Sequence, residues 1–266
     1  ICSLHPNVDR LTLTAEMEIN SRGQVVKYDI YPSVIRSYRR MTYTDVNRVV
    51  EDRDPAMMKK HEDLVEMFEQ MAELHSILEK KRTNNGALSF DSNELNFTLD
   101  ESGKPVSIDI EVRGIGERMI ESFMLAANET VSAHYSKQQL PILYRVHEQP
   151  DMAKMQNFIE FASALGVKVR GKKEDISPKT LQGILDEVEG EAYEQVVNTL
   201  MLRSMQKARY DVEPLGHYGL ATEFYSHFTA PIRRYPDLIL HRLIHYYDEM
   251  GTSKKDIKYW EKELPE

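Results

Sequence analysis

Residues 10 to 20 alternate apolar and polar almost without a break, with Leu11, Leu13, Ala15, Met17 and Ile19 sharing one side of the period. A repeat of two sets all five on one face of an extended strand, and such a face is stable only against other structure. A turn cluster of Asn20, Ser21, Arg22 and Gly23 follows, after which Val26, Tyr28 and Ile30 resume the alternation. Residues 10 to 31 are therefore predicted to form a β-hairpin. The same pattern over 94 to 100 and 106 to 112, interrupted by a turn at 101 to 105, predicts a second.

Helical spacing takes over elsewhere. Asp54 ahead of Pro55 supplies an N-cap with proline at the first helical position. Met58, Leu64, Val65, Phe68, Met71, Leu74, Ile77 and Leu78 then recur so that one long helix is predicted to about Arg82, closed by Asn84, Asn85 and Gly86. The Met, Leu and Phe residues between 57 and 78 read as core contacts, and Asp52 and Asp54 as caps. A helix over 117 to 137 carries Ile120, Phe123, Met124, Ala127, Val131 and Tyr135 on one stripe. Glu121 and Asn128 sit seven apart on its flank, where a solvated edge is the plain reading. Further helices are expected near 151 to 165, 178 to 186, 190 to 209 and 236 to 250. Strands precede most helices and do not alternate with them regularly, so the fold class is α+β, with antiparallel hairpins packed against several helices.

At 266 residues, with 41% hydrophobic and 29% charged, the chain can bury a core without covalent staples, which excludes collagen-like and disordered classes. Its one cysteine, Cys2, allows no intrachain disulfide and no cysteine-based zinc site. No apolar run approaches the roughly 18 to 20 residues of a membrane span, and no leader pattern opens the sequence. A cytoplasmic protein is expected. Because Ile1 is not an initiator methionine, the sequence is read as an excised part of a longer chain.

The formal net charge of −9 disfavours a generic nucleic-acid coat, but a phosphate chain responds to the local field. Residues 203 to 246 hold six Lys and Arg against four Asp and Glu, a basic island in an acidic body. Within it, Pro231 and Pro236 pin a loop that carries Arg233 and Arg234 just ahead of a helix, a setting suited to an oxyanion or phosphate. Surface arginines paired with nearby acids would explain the same residues. Arg36, Arg39 and Arg40 beside Tyr38 read as a solvated basic face. His217, His227, His241 and His245 lack an HExxH pattern and a cysteine partner, so packing and hydrogen bonding are expected of them.

The stretch GHYGLATEFYSHFTAPIRRYPDLILHRLI at 216 to 244 resembles the signature segment of the ribonuclease II and ribonuclease R family of 3′-to-5′ exoribonucleases. CSLHPNVDRLTLTAEMEI, VIRSYRRMTYTDV, RMIESFMLAANE and LYRVHEQP resemble the same RNB-type catalytic domain in the same order, with spacing nearest the bacterial ribonuclease R type. The resemblance covers essentially residues 1 to 266 and implies part of one such domain, incomplete at both ends. It implies hydrolysis of single-stranded RNA to nucleoside 5′-monophosphates, assisted by magnesium. By position, Arg233 matches the family's catalytic arginine, which stabilises charge on a phosphorane-like transition state. Tyr43 and Glu121 match the residues that recognise the ribose 2′-hydroxyl, and Phe90 the aromatic that stacks on a base. Tyr43 as an element boundary and Phe90 as core remain open readings.

The family's magnesium-binding aspartates lie upstream of the CSL segment, and its catalytic glutamate and C-terminal RNA-binding barrel lie downstream of residue 266. The resemblance therefore assigns no metal ligand to this chain and predicts no hydrolysis by it alone. Ala230 stands where the family commonly has serine. A non-catalytic RNA-binding or regulatory module of the same fold is the alternative.

Overall fold

The computed structural model describes residues 3–88, 94–111, 113–168 and 176–264. Strands β1 (Asp9–Ile19) and β2 (Val25–Arg36) form the expected antiparallel hairpin, with Ala15 opposite Ile30 and Met17 opposite Tyr28. Asn20 closes the turn by accepting the backbone N–H groups of Arg22 and Gln24, each at 3.0 Å. The expected buried face is only partly covered. Leu13, Ala15, Met17 and Ile30 pack on the core, whereas Leu11 is 87% exposed opposite the exposed Val34. The strand outruns the helices beneath it, so the alternation continues past the surface that could bury it.

Helix α1 (Tyr43–Val50) was not anticipated; Thr42 caps it by accepting the Asp45 N–H. The single helix predicted from Pro55 to about Arg82 is two, α2 (Pro55–Lys60) and α3 (Val65–Asn85). Asp54 caps α2 as expected, accepting from Ala56 and Met57. The chain then turns at 61 to 64, where the Leu64 N–H reaches the His61 carbonyl, and both residues are buried at the turn. A continuous helix would carry Leu64 and Phe68 away from the α1 side chains they pack against. Gly86 ends α3 in the left-handed region, φ +86°, as its composition leads one to expect.

The second hairpin is β3 (Glu94–Leu99) with β4 (Pro105–Glu111), the latter starting one residue earlier than expected. It leads into α4 (Ile115–Lys137), the element on which the others converge. Small residues Ser122, Ala126, Ala127 and Ser132 let neighbours approach it closely, and Met119, Val131 and Tyr135 are fully or nearly buried. The N-terminal end of α4 is clamped by Asn47 of α1. Its Oδ1 accepts the Gly116 N–H at 2.7 Å while its Nδ2 donates to Glu117 at 3.0 Å. Gly114 is required there, since a Cβ would lie 2.2 Å from the Asn47 amide.

Strand β5 (Tyr144–Val146) follows, then α5 (Met152–Ala164), α6 (Pro178–Val188) and α7 (Glu194–Ser204). These three helices close on a core of their own that includes Met155, Leu181, Ile184, Val197 and Met201. The helix expected to reach 209 stops at Ser204, because Arg209–Asp211 is drawn into strand β6 against β5. After a short turn of 3-10 helix at Tyr218–Leu220, α8 (Tyr235–Glu249) returns beside α4. The last helix, α9 (Lys254–Glu263), was not anticipated, although Ser253 and Asp256 form a complete capping box. The architecture is α+β, with three separate two-stranded antiparallel sheets among the described residues. No helix among the described residues is long and apolar enough to cross a membrane.

Replacing Asn47 by Ala removes the acceptor for the Gly116 N–H and uncouples α1 from α4. The expected loss is about 1–3 kcal/mol, read as a lower urea midpoint; an unchanged midpoint would show that packing alone holds the two helices.

Candidate functional site

Along its N-terminal half, α4 turns one stripe of side chains into a cavity of about 410 Å³. Glu117, Ile120, Glu121, Met124 and Asn128 recur at helical spacing, so they share one face. Tyr43 closes one wall from the first turn of α1, and Tyr225 and Arg234 form the opposite wall. Arg113 enters from the segment before α4 and donates to Glu121 at 2.6 Å. Glu121 is therefore a half-exposed carboxylate already oriented by one guanidinium, with its second oxygen available to a ligand.

Asn128 is not on a solvated edge, as its position on the helix had suggested. It is 2% exposed. Its Nδ2 donates to the Tyr225 hydroxyl at 3.1 Å and its Oδ1 accepts the Phe228 N–H at 2.9 Å. These two bonds stitch the segment 225–228 to the helix, and the Phe228 carbonyl is held in turn by His241 Nε2 at 2.7 Å. Downstream, the carboxylate of Asp237 is fully buried, and its Oδ1 accepts both the Ala230 N–H at 2.7 Å and Arg234 Nη2 at 2.8 Å. A buried carboxylate needs such partners, and losing one is expected to cost about 3–5 kcal/mol. The turn from Ala230 to Arg234 is thereby fixed at the start of α8.

The two arginines of that turn differ. Arg234 is half-buried, faces the cavity and is anchored by Asp237, while its Nε has no hydrogen-bond partner among the described residues. Arg233 is exposed on the same turn and is not among the cavity's walls. The structure thus brings Tyr43, Glu121 and Arg234 to one groove, with Arg233 beside it. Phe90 lies outside the described residues. Sequence reasoning set Arg234 together with Arg233 in a loop suited to a phosphate without telling the two apart, and gave no role to Tyr225. The one signal was the interval of seven between Glu121 and Asn128, which is two turns of a single helix face.

Behind the groove wall lies a layer of aromatic and imidazole rings. His147, His217, Tyr225 and His227 follow one another edge to face at centroid distances of 5.1, 5.3 and 5.6 Å. The Tyr210 hydroxyl bonds His227 Nδ1 at 2.6 Å, and the Arg145 guanidinium lies over the Tyr210 ring. Burial, reinforced by His147 and Arg145, pushes the His217 pKa down to about 3. Burial and the charge of Arg234 push His227 down to about 4. His217, His227 and His241 are packing and hydrogen-bonding groups, as expected, whereas His245 is exposed beside Glu249. Arg36 is paired with Asp9, and Arg39 with Asp63, so neither is a free cation for a ligand.

The described residues contain no group of three or more His, Cys, Asp or Glu that could hold a metal ion. Asp54 is taken up by its cap and by Arg48, and Asp237 is a lone, fully buried carboxylate whose Oδ1 accepts from Ala230 and Arg234 and whose Oδ2 has no hydrogen-bond partner among the described residues. The residues present therefore do not fit the magnesium that the resemblance implies, and no step of the chemistry below is routed through it.

The RNB domain matches residues 1–248. Ribonuclease R 1 of Lactococcus lactis is 45% identical over the whole of this chain, which spans 32% of that protein. Ribonuclease R of Aquifex aeolicus is 45% identical over 92% of the chain, 34% of its own length. The chain thus spans about a third of the length of the curated relatives it matches. Among solved structures, Mycoplasma genitalium RNase R in complex with ribose-methylated single-stranded RNA superposes with a TM-score of 0.87 at 27% identity, covering 99% of this chain and 41% of that one. Yeast Ssd1, a pseudonuclease, shares the fold at a TM-score of 0.72 and 22% identity, over 97% of this chain and 32% of its own.

The neutral histidines carry a pH dependence. Free histidine titrates near 6.5, so between about pH 6.5 and 4 the unfolded chain takes up protons that the folded one refuses. Stability is expected to fall as pH drops through that window, seen as a lower urea midpoint at pH 5 than at pH 7. A His227→Gln variant should show a smaller drop. A midpoint that stays constant between the two would mean that the folded chain takes up protons on these rings as readily as the unfolded one.

Proposed function

Because this chain belongs to the RNB-domain family, we propose that it forms the part of a 3′-to-5′ exoribonuclease that grips single-stranded RNA and positions its 3′-terminal phosphodiester. The observation that carries this reading is the groove along α4, where an acceptor, a phenol and an anchored guanidinium converge in about 410 Å³. Those groups match the parts of a ribonucleotide: Glu121 accepts from a 2′-hydroxyl that DNA lacks, with Tyr43 beside it, and Arg234 holds a phosphate. Arg233, exposed on the same turn, is the group that stabilises charge developing on the phosphorus centre in the transition state. Phe90 stacks on a base. Bond cleavage by attack of water releases a nucleoside 5′-monophosphate and leaves a new 3′-hydroxyl.

In this reading the magnesium of the whole protein is held by residues other than those described here, and the protein works in the cytoplasm. Given single-stranded RNA and magnesium, this chain by itself is expected to release no mononucleotides; robust release would locate a metal site within it. A non-catalytic RNA-binding module is the second reading, favoured by one finding: a protein named a pseudonuclease has this fold, so the fold alone does not decide hydrolysis.

Two substitutions in the whole protein separate these readings. Arg233→Ala should remove most of the single-turnover rate on labelled single-stranded RNA while changing RNA affinity only a few-fold, since the contact strengthens in the transition state. Lost affinity with an unchanged rate would overturn that role. Glu121→Ala should narrow the preference for RNA over DNA of the same sequence, and an unchanged preference would remove Glu121 from 2′-hydroxyl recognition. Tight RNA binding by the unaltered protein with no mononucleotide release would establish the binding module.

A further inference from the structure

The groove occupies one face of α4, and a second cavity of about 470 Å³ occupies another. Ser122, Ala126, Glu129, Thr130, Ala133 and Lys137 recur at helical spacing and line it, about a third of a turn or more around the helix from the groove residues. Leu125 belongs to both cavities and forms the ridge between them. The remaining walls are the C-terminal half of α3, the turn of the first hairpin and the loop from 220 to 224. The hairpin turn is seated directly on α3. Gly23, at φ +73°, leaves a would-be Cβ only 3.1 Å from the Lys81 side chain, so the wall has no room for a bulkier residue.

The chemistry of this cavity is unlike that of a packing defect. Lys81 and Arg82 present adjacent cations from α3, and the Arg82 Nε is buried without a hydrogen-bond partner among the described residues. A buried guanidinium N–H left unmade is costly, and a ligand oxygen would relieve it. Glu129 faces them from α4. Burial raises its carboxyl, and Lys81 and Arg82 draw it back down, yet none of the ion pairs of the described residues joins it to either. The carboxyl and the two cations are therefore held apart across the cavity, near enough to feel each other's charge. Two ring faces complete the walls. Tyr28 is held by its hydroxyl to His134 Nδ1 at 3.1 Å, and Phe224 packs against the core. A volume of this size, with a few convergent polar groups, is the usual make-up of a small-molecule site.

We propose that this cavity is a second nucleotide site, which takes a free nucleoside 5′-monophosphate with its phosphate on Lys81 and Arg82 and its ribose hydroxyls on Glu129. The two cations and the carboxyl provide for the two polar ends of such a ligand, and Tyr28 and Phe224 provide a surface for its base. Naming the mononucleotide among phosphate esters rests on the proposed exoribonuclease reading, in which it is the product released on the far side of the Leu125 ridge.

The test uses this chain with adenosine 5′-monophosphate, adenosine and inorganic phosphate as titrants, with and without a saturating single-stranded RNA octamer. Adenosine monophosphate should bind in both conditions, more tightly than adenosine or phosphate alone. Arg82→Met should weaken it about ten-fold, the loss of one charge-assisted hydrogen bond, and Lys81→Met and Glu129→Gln should each weaken it to a lesser degree. Octamer binding should change less than two-fold in all three variants. Lys81→Met and Glu129→Gln keep the test decisive should the half-buried Arg82 prove necessary for folding. Adenosine monophosphate affinity unaltered in the variants would overturn the proposal. So would complete displacement by the octamer, which would assign the cavity to the RNA strand, or inorganic phosphate binding equally well, which would leave a simple anion site. Failure of the octamer to bind the unaltered chain counts against the groove reading and leaves the mononucleotide result standing.

Discussion

The site depends first on one buried amide. Asn128 sits in the middle of α4, 2% exposed, and binds two groups about a hundred residues later in the chain: the Tyr225 hydroxyl and the Phe228 N–H. A neutral amide makes both bonds without burying a charge; an aspartate could bond the same two groups only as a buried anion, and a leucine could do neither. If the amide were absent, the Phe228 N–H would be buried without a partner, at about 1–3 kcal/mol. From Phe228 the constraint passes to Ala230 and Arg234, which Asp237 ties to the first turn of α8. The placing of the arginine-bearing turn over α4 follows from this chain of satisfied polar groups.

That arrangement divides two adjacent arginines between two tasks. Arg234 is spent partly on Asp237, which keeps its guanidinium at the groove wall, whereas Arg233 stands exposed on the turn. The layer behind them is uncharged. His217 is kept neutral by burial, His147 and Arg145, and His227 by burial and Arg234, so the local field is set by the guanidinium groups without competing ionisation. An acidic protein can in this way hold a basic spot: residues 203 to 246 carry six Lys and Arg against four Asp and Glu, while the chain as a whole carries −9.

Helix α4 carries both cavities because it is covered on nearly every side. Helix α1 and the first hairpin meet it at different levels, α3 runs along it, and the loop before α8 crosses it. Small residues on its buried faces allow close approach, and the spaces left where neighbours diverge become the groove and the second cavity. The Leu125 ridge follows from the 100° step of the helix, which puts it between the two lining stripes.

Local features were legible in the sequence because a few neighbouring residues encode them. Period-two alternation marked both hairpins, Asp54 with Pro55 started α2, Gly86 ended α3, and the apolar stripe announced α4. Capping of α9 by Ser253 and Asp256 was equally local and was overlooked. The α+β class follows from these local signals together, and so does a basic loop ahead of α8. Only the tertiary structure decided that the helix from Pro55 breaks at 61 to 64, that Arg209–Asp211 leaves helical spacing to pair with β5, that Asn128 is buried, and that Arg234 faces the groove. Each of those depends on a partner distant in sequence, and burial of a polar group or capture of a strand is settled by which surfaces meet, a property that no local period carries.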